Sequence, residues 1–171
     1  MRSVLVPALV GLVIFTSDGP VAAQSKLVFD KTVIEVVTQK RRYRWRVQMA
    51  VSGAQMARGL MFRKTIKPWD GMLFDFGADG VARMWMKNTE IPLDMLFIKA
   101  DGTIESIGRG VPFSIRIVSS EGPVRAVLEI PYGMSKKLGI QPGDRIRHEM
   151  FGSPLKKLPS YKPKPQRKKR S

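Results

Sequence analysis

From Tyr43 to Val51 the chain alternates without a break. Tyr43, Trp45, Val47, Met49 and Val51 are apolar or aromatic, and Arg44, Arg46, Gln48 and Ala50 fall between them. A period of two is the spacing of a strand with one buried face, because successive side chains leave a strand on opposite sides. The face with the two arginines is expected to lie in solvent. Upstream, residues 26–38 (KLVFDKTVIEVVT) are rich in Val and Ile and predict one or two strands. Downstream, Ser52 and Gln55 stand three apart, as a capping box requires, and predict a short helix over residues 53–61. Gly59 inside it argues for close packing or an early end.

The next two patterns read as hairpins. Residues 71–76 and 81–86 flank Gly77-Ala78-Asp79-Gly80, and residues 93–98 and 103–108 flank Lys99-Ala100-Asp101-Gly102. Asp-Gly between apolar runs favours a tight turn because both residues tolerate positive φ. Residues 112–123 carry no clear period. Residues 124–130 alternate again, with Val124, Ala126, Leu128 and Ile130 on one face and Arg125, Val127 and Glu129 on the other. A short helix over 133–138 ended by Gly139, a turn at Pro142-Gly143-Asp144 and a last strand over 145–150 complete the reading. The fold class is mostly β, a β-rich barrel- or sandwich-like single domain with one or two short helices.

The two ends differ from this middle. Arg2, an apolar run over residues 4–15 and then Val21-Ala22-Ala23 follow the pattern of a secretory signal, so residues 1–23 are expected to be removed on export to the periplasm or medium. At 12 residues the run is shorter than the roughly 20 a spanning helix needs. Residues 153–171 contain eight Lys or Arg, four Pro and no acid, a composition that predicts disorder. This tail supplies half of the formal net charge of +16; residues 24–152, with 21 basic and 13 acidic side chains, supply the rest. No cysteine is present, which excludes disulfides, thiolate nucleophiles and Cys-ligated zinc, and the single histidine, His148, excludes a His-rich metal centre. Walker, G-x-G-x-x-G, G-x-S-x-G and H-E-x-x-H signatures are also missing, so neither a cofactor nor a metal is expected.

The candidate chemistry lies between Arg58 and Glu129. Asp94 falls in the apolar strand pattern LDMLFI (93–98) and must be satisfied if buried, with Arg58, Arg63 or Asn88-Thr89 as possible donors. Its bland role is to pin a turn. Lys87-Asn88-Thr89-Glu90 separates two apolar runs and offers a cation with amide and hydroxyl groups, although most such loops are only loops. Glu129 with Asp94 would make the carboxylate pair of a glycoside-type hydrolase. Met84 and Met86 suggest a soft-metal site, but methionines alternating along a strand are mostly core filler.

The blocks RGLMFR (58–63), DGMLF (70–74), MWMKNT (84–89), IPLDMLFI (91–98), VLEIPYG (127–133) and LGIQPGD (138–144) together resemble the domain of unknown function 192 family over residues 38–150. The resemblance implies a compact β-rich domain, often exported, and brings no activity. Its motif residues carry over as Arg58, Gly59, Met61, Arg63, Asp70, Gly71, Met86, Lys87, Asn88, Thr89, Asp94 and Glu129. Combined with Trp85, the candidate binding residues are Arg58, Met61, Arg63, Trp85, Met86, Lys87, Asn88, Thr89, Asp94 and Glu129. A few polar groups in an apolar wall, two of them arginines, fit a small polar or anionic ligand. The alternatives are a hydrolase using Asp94 and Glu129, and a protein held through residues 153–171 on anionic envelope polymer or phospholipid. The export signal argues against nucleic acid, and a monomer is expected.

Overall fold

The alternation after Lys40 forms the strand it predicts. In the computed structural model, which describes residues 27–155, β1 (Lys31–Val37) and β2 (Arg42–Ala50) are antiparallel neighbours. Trp45 and Val47 are buried on the inner side, and Arg44 and Arg46 reach Glu35 and Asp70, each at 3.2 Å. Ser52 caps α1 (Gly53–Arg58), with the Gln55 side chain returning the bond. The helix ends at Gly59, whose φ is +47° and whose added Cβ would lie 3.2 Å from Phe74 Cζ, so the early end and the close packing coincide.

The remaining elements are β3 (Asp70–Gly80), β4 (Arg83–Met84), β5 (Leu93–Ile98), β6 (Ile104–Gly110), β7 (Val118–Ser119), β8 (Val124–Pro131), α2 (Met134–Leu138) and β9 (Arg145–Arg147). Seven strands form one sheet in the order β6-β5-β8-β3-β2-β1-β9, and only β2 and β3 run parallel. The sheet curls into a half-barrel until its edge strands touch. Thr103 bridges Arg145, and the Ile146 N–H donates to the Gly102 carbonyl at 2.7 Å. The expected β-rich domain with two short helices is therefore present, and the predicted 93–98/103–108 hairpin forms as β5 and β6.

The other predicted hairpin does not form. Both hydrogen-bonding edges of β3 are taken, by β2 and β8, so residues 81–86 have no free edge there. They yield β4, which pairs instead with β7 in a separate two-stranded ribbon. The last strand also stops early. His148 extends out of β9 and its side chain accepts from the Met150 N–H, starting a 3-10 turn over Glu149–Phe151.

Cover on both faces of the sheet explains why β5 is buried along its whole length. One face of the sheet gathers Ile34, Trp45, Leu73, Leu96, Leu128 and Ile146. The opposite face gathers Met72, Phe74, Met95, Phe97 and Val127 beneath Leu60, Met84, Met86 and Ile91. That second layer, made by α1 and the loops around β4, roofs the site. The proposed signal over residues 1–23 lies outside the described residues, as does the tail beyond Leu155. Among the described residues no helix is long and apolar enough to cross a membrane.

Candidate functional site

Along β8, Leu128 and Ile130 turn into the half-barrel, so Glu129 must turn the other way. It stands in register between Met72 of β3 and Met95 of β5, both fully buried. Glu129 is itself only 4% exposed. Its carboxyl faces a recess of about 30 Å³ whose walls include Met56, Arg58, Gly59, Met61, Phe74, Met84, Trp85 and Thr89. That is room for one or two water-sized groups. Among the described residues nothing hydrogen-bonds to this carboxyl or forms an ion pair with it. Buried carboxylates are almost always satisfied; this one is left open to whatever enters.

Burial without a partner penalises the charged form. It pushes the Glu129 carboxyl up to about 8, and the Arg63 guanidinium opposes the rise only in part. At neutral pH the group is mostly a neutral acid and can donate a hydrogen bond. Arg63, half-buried, is in turn held below the usual arginine range by its burial and by Arg58, with Glu129 acting the other way. A carboxyl shifted towards neutrality in a recess is the kind of group that marks functional sites.

The recess opens beside a wider groove of about 820 Å³, and Arg58, Gly59 and Met61 line both. Leu27, Val28, Phe29, Phe62, Arg63, Lys31 and Gln48 complete the groove walls. Arg58 lies 4.5 Å from the centre of the Phe62 ring, and Arg63 lies 6.0 Å from that of Phe29. Gln48 belongs to the same cross-sheet row as Glu129, through Met72, and its Oε1 is buried with no hydrogen-bond partner among the described residues. The sequence placed Gln48 on the arginine face of β2; its one distinguishing signal was being the neutral polar residue there.

The structure thus brings Arg58, Met61, Trp85, Thr89 and Glu129 around one recess, with Arg63 in the adjoining groove. Met86 is buried in the layer above it. Lys87, Asn88 and Thr89 form a tight turn: the Thr89 N–H donates to the Met86 carbonyl, the Thr89 hydroxyl to the Lys87 carbonyl, and Asn88 adopts a φ of 55°. The Lys87 ammonium sits 5.5 Å from the Trp85 ring centre.

Asp94 belongs elsewhere. It pairs in register with Ile130, on the face opposite Glu129, and accepts from the backbone N–H groups of Gly133 at 3.1 Å and Ser135 at 2.9 Å. Its donors are therefore the first turn of α2, not Arg58, Arg63 or Asn88-Thr89. The sheet separates the two carboxyls, so the acid–base pair expected of a hydrolase is not assembled. Asp94→Asn, which turns one acceptor into a donor facing an N–H, should destabilise the domain by about 2 kcal/mol in urea melts. Among the described residues no three His, Asp or Glu cluster as metal ligands would.

Solved structures share this architecture, two of them as follows. One, from Sinorhizobium meliloti 1021 and described as a candidate transcription regulator, is 43% identical, with a TM-score of 0.71, covering 73% of this chain and 98% of that one. The other, a protein of unknown function from Novosphingobium aromaticivorans DSM 12444, is 36% identical, with a TM-score of 0.67, covering 68% of this chain and 84% of that one. Among proteins with curated descriptions, none matches. The profile of DUF192, described as Uncharacterized ACR, matches residues 34–148, which span β8 and its Glu129, the roof and both arginines, and the chain belongs to that family.

Proposed function

We propose that this chain is a binding module for a small ligand with an anionic group and an apolar body. The observation that carries the proposal is the Glu129 carboxyl: buried, pushed towards its neutral form and without a hydrogen-bond partner among the described residues, at the floor of a recess that Arg58 walls beside a groove that Arg63 lines. The arginines supply charge for an anion. The neutral acid donates one hydrogen bond to it, and Phe29, Met61 and Phe62 pack against the apolar part. A groove of about 820 Å³ falls in the range of small-molecule sites.

Export, and attachment of residues 153–171 to an anionic envelope polymer or phospholipid, belong to the same proposal. They rest on the signal pattern and on eight uncompensated charges. The description of the Sinorhizobium protein as a candidate transcription regulator gains no support from the helices of this chain. Helices of six and five residues are too short to lie along a major groove as a recognition helix, and the described residues hold no others beyond one 3-10 turn.

Thermal-shift titration with hexanoate and hexyl phosphate tests the binding reading. At one hundred times its dissociation constant, a probe adds about 2.7 kcal/mol of stability. Arg63→Ala should remove that gain. Binding should also weaken in the wild type as pH rises past about 8, when Glu129 ionises and repels the anion, but not in Glu129→Gln. Stabilisation by neither probe, or stabilisation indifferent to both Arg63→Ala and pH, would contradict the reading.

A further inference from the structure

Above the recess, three loops carry a feature that ligand binding uses only in part, through Phe62. Among the described residues, three that are not glycine have positive φ: Phe62 at 62°, Asn88 at 55° and Phe113 at 59°. For a bulky aromatic residue this conformation is strained. All three meet in one knot. The Phe62 N–H donates to the Asn88 carbonyl at 2.8 Å, the Phe113 N–H to the Thr89 carbonyl at 3.0 Å, and the Met86 N–H to the Ser114 carbonyl at 2.9 Å.

The strain does not serve burial, because Phe62 is 57% exposed and Phe113 62%. Beside them Trp85, Val111, Ile115 and Ile117 are exposed as well, Ile115 to 73%. Residues 111, 113, 115 and 117 thus present apolar side chains to water from alternate positions of one loop. Single exposed apolar residues are ordinary; six on neighbouring loops mark an interaction surface. The charge around them is mainly positive. Arg58 covers Phe62, Lys87 lies over Trp85, and Arg116 is exposed between the two isoleucines, against Glu90 alone in the 85–90 turn.

We propose that this patch docks the protein on an anionic lipid bilayer. The aromatic and branched tips enter the headgroup boundary, and Arg58, Lys87 and Arg116 meet lipid phosphates. Protruding tips suit a soft bilayer better than a rigid partner, and a second copy would bring the same cations face to face. Because Trp85 and Arg58 also wall the recess, docking sets the Glu129 site at the membrane surface.

The test is co-sedimentation of the chain without its expected signal, residues 24–171, with vesicles of equal parts phosphatidylcholine and phosphatidylglycerol, at low salt and at about 1 M, where the screening length is roughly 3 Å. Insertion of the patch predicts association that survives high salt, whereas attachment through residues 153–171 alone would vanish. The double substitution Phe113→Ser, Ile115→Ser should lower the salt-resistant partitioning by about tenfold or more. Phe113→Gly relieves the positive φ, so it should melt no lower than the wild type and yet partition less. The proposal is overturned by absence of association, by association that salt abolishes, or by salt-resistant association that these substitutions leave unchanged. A Phe113→Gly variant melting well below the wild type would make Phe113 structural and overturn it too.

Discussion

Glu129→Gln is expected to remove most of a fall in stability that the wild type undergoes between pH 4.5 and about 8. In the unfolded chain this carboxyl loses its proton near 4.5; in the folded chain it holds it up to about 8. Between those values the folded state binds the extra proton, so stability is fully present below 4.5 and declines as pH rises through the window. At about 1.4 kcal/mol per pH unit the decline is of order several kcal/mol. Glutamine has the shape of the protonated acid and does not ionise. The variant should match the wild type at low pH and exceed it by several kcal/mol above pH 8 in urea melts. His148 works in the opposite direction, since burial lowers its affinity for a proton below the usual 6.5, so its contribution is lost as pH falls. Taking the difference between wild type and variant at each pH cancels that term. Parallel curves would mean that Glu129 ionises normally in the fold.

The second large effect concerns closure of the half-barrel. Gly102 has a φ of +86°, and a Cβ there would run into the Ile146 carbonyl oxygen, whose strand docks against this turn. Gly102→Ala combines left-handed strain with a backbone clash that no side-chain rotation can relieve, for about 3 kcal/mol or more. Gly77 is the control: its φ is +77°, but nothing lies within 4 Å of an added Cβ. Gly77→Ala should cost only the strain, about 1–2 kcal/mol. Equal losses at the two positions, measured by urea unfolding, would mean that contact between the sheet edges adds nothing.

Gly102 also shows where sequence reading ends. Asp101-Gly102 between apolar runs was enough to predict the turn between β5 and β6. That the same glycine receives β9 depends on a strand more than forty residues later. The alternation in β2 and β8 and the Ser52–Gln55 box were legible because they are local, fixed by strand parity and helix-start geometry. Pairing partners were not: parity says which face Phe74 takes, but not that β2 and β8 occupy both edges of β3 and turn away residues 81–86. The site divides along the same line. Family motif blocks pointed to Arg58, Arg63 and Glu129. Only the topology reveals that Glu129 lies opposite Asp94 rather than beside it, and that the donors to Asp94 come from 39 and 41 residues downstream. Gln48 was missed because its neighbours in the row, Met72 and Glu129, belong to strands whose order the pattern does not encode.

Glu129, with no partner among the described residues, keeps its proton at the floor of its recess. Carbon-detected NMR of the side-chain carboxyls, with Glu129→Gln to assign the resonance, follows that proton directly through a pH titration. A midpoint near 8 for the signal missing in the variant is the expected result. A midpoint near 4.5 would mean a solvated or paired carboxylate, and the recess would lose its claim to be a site.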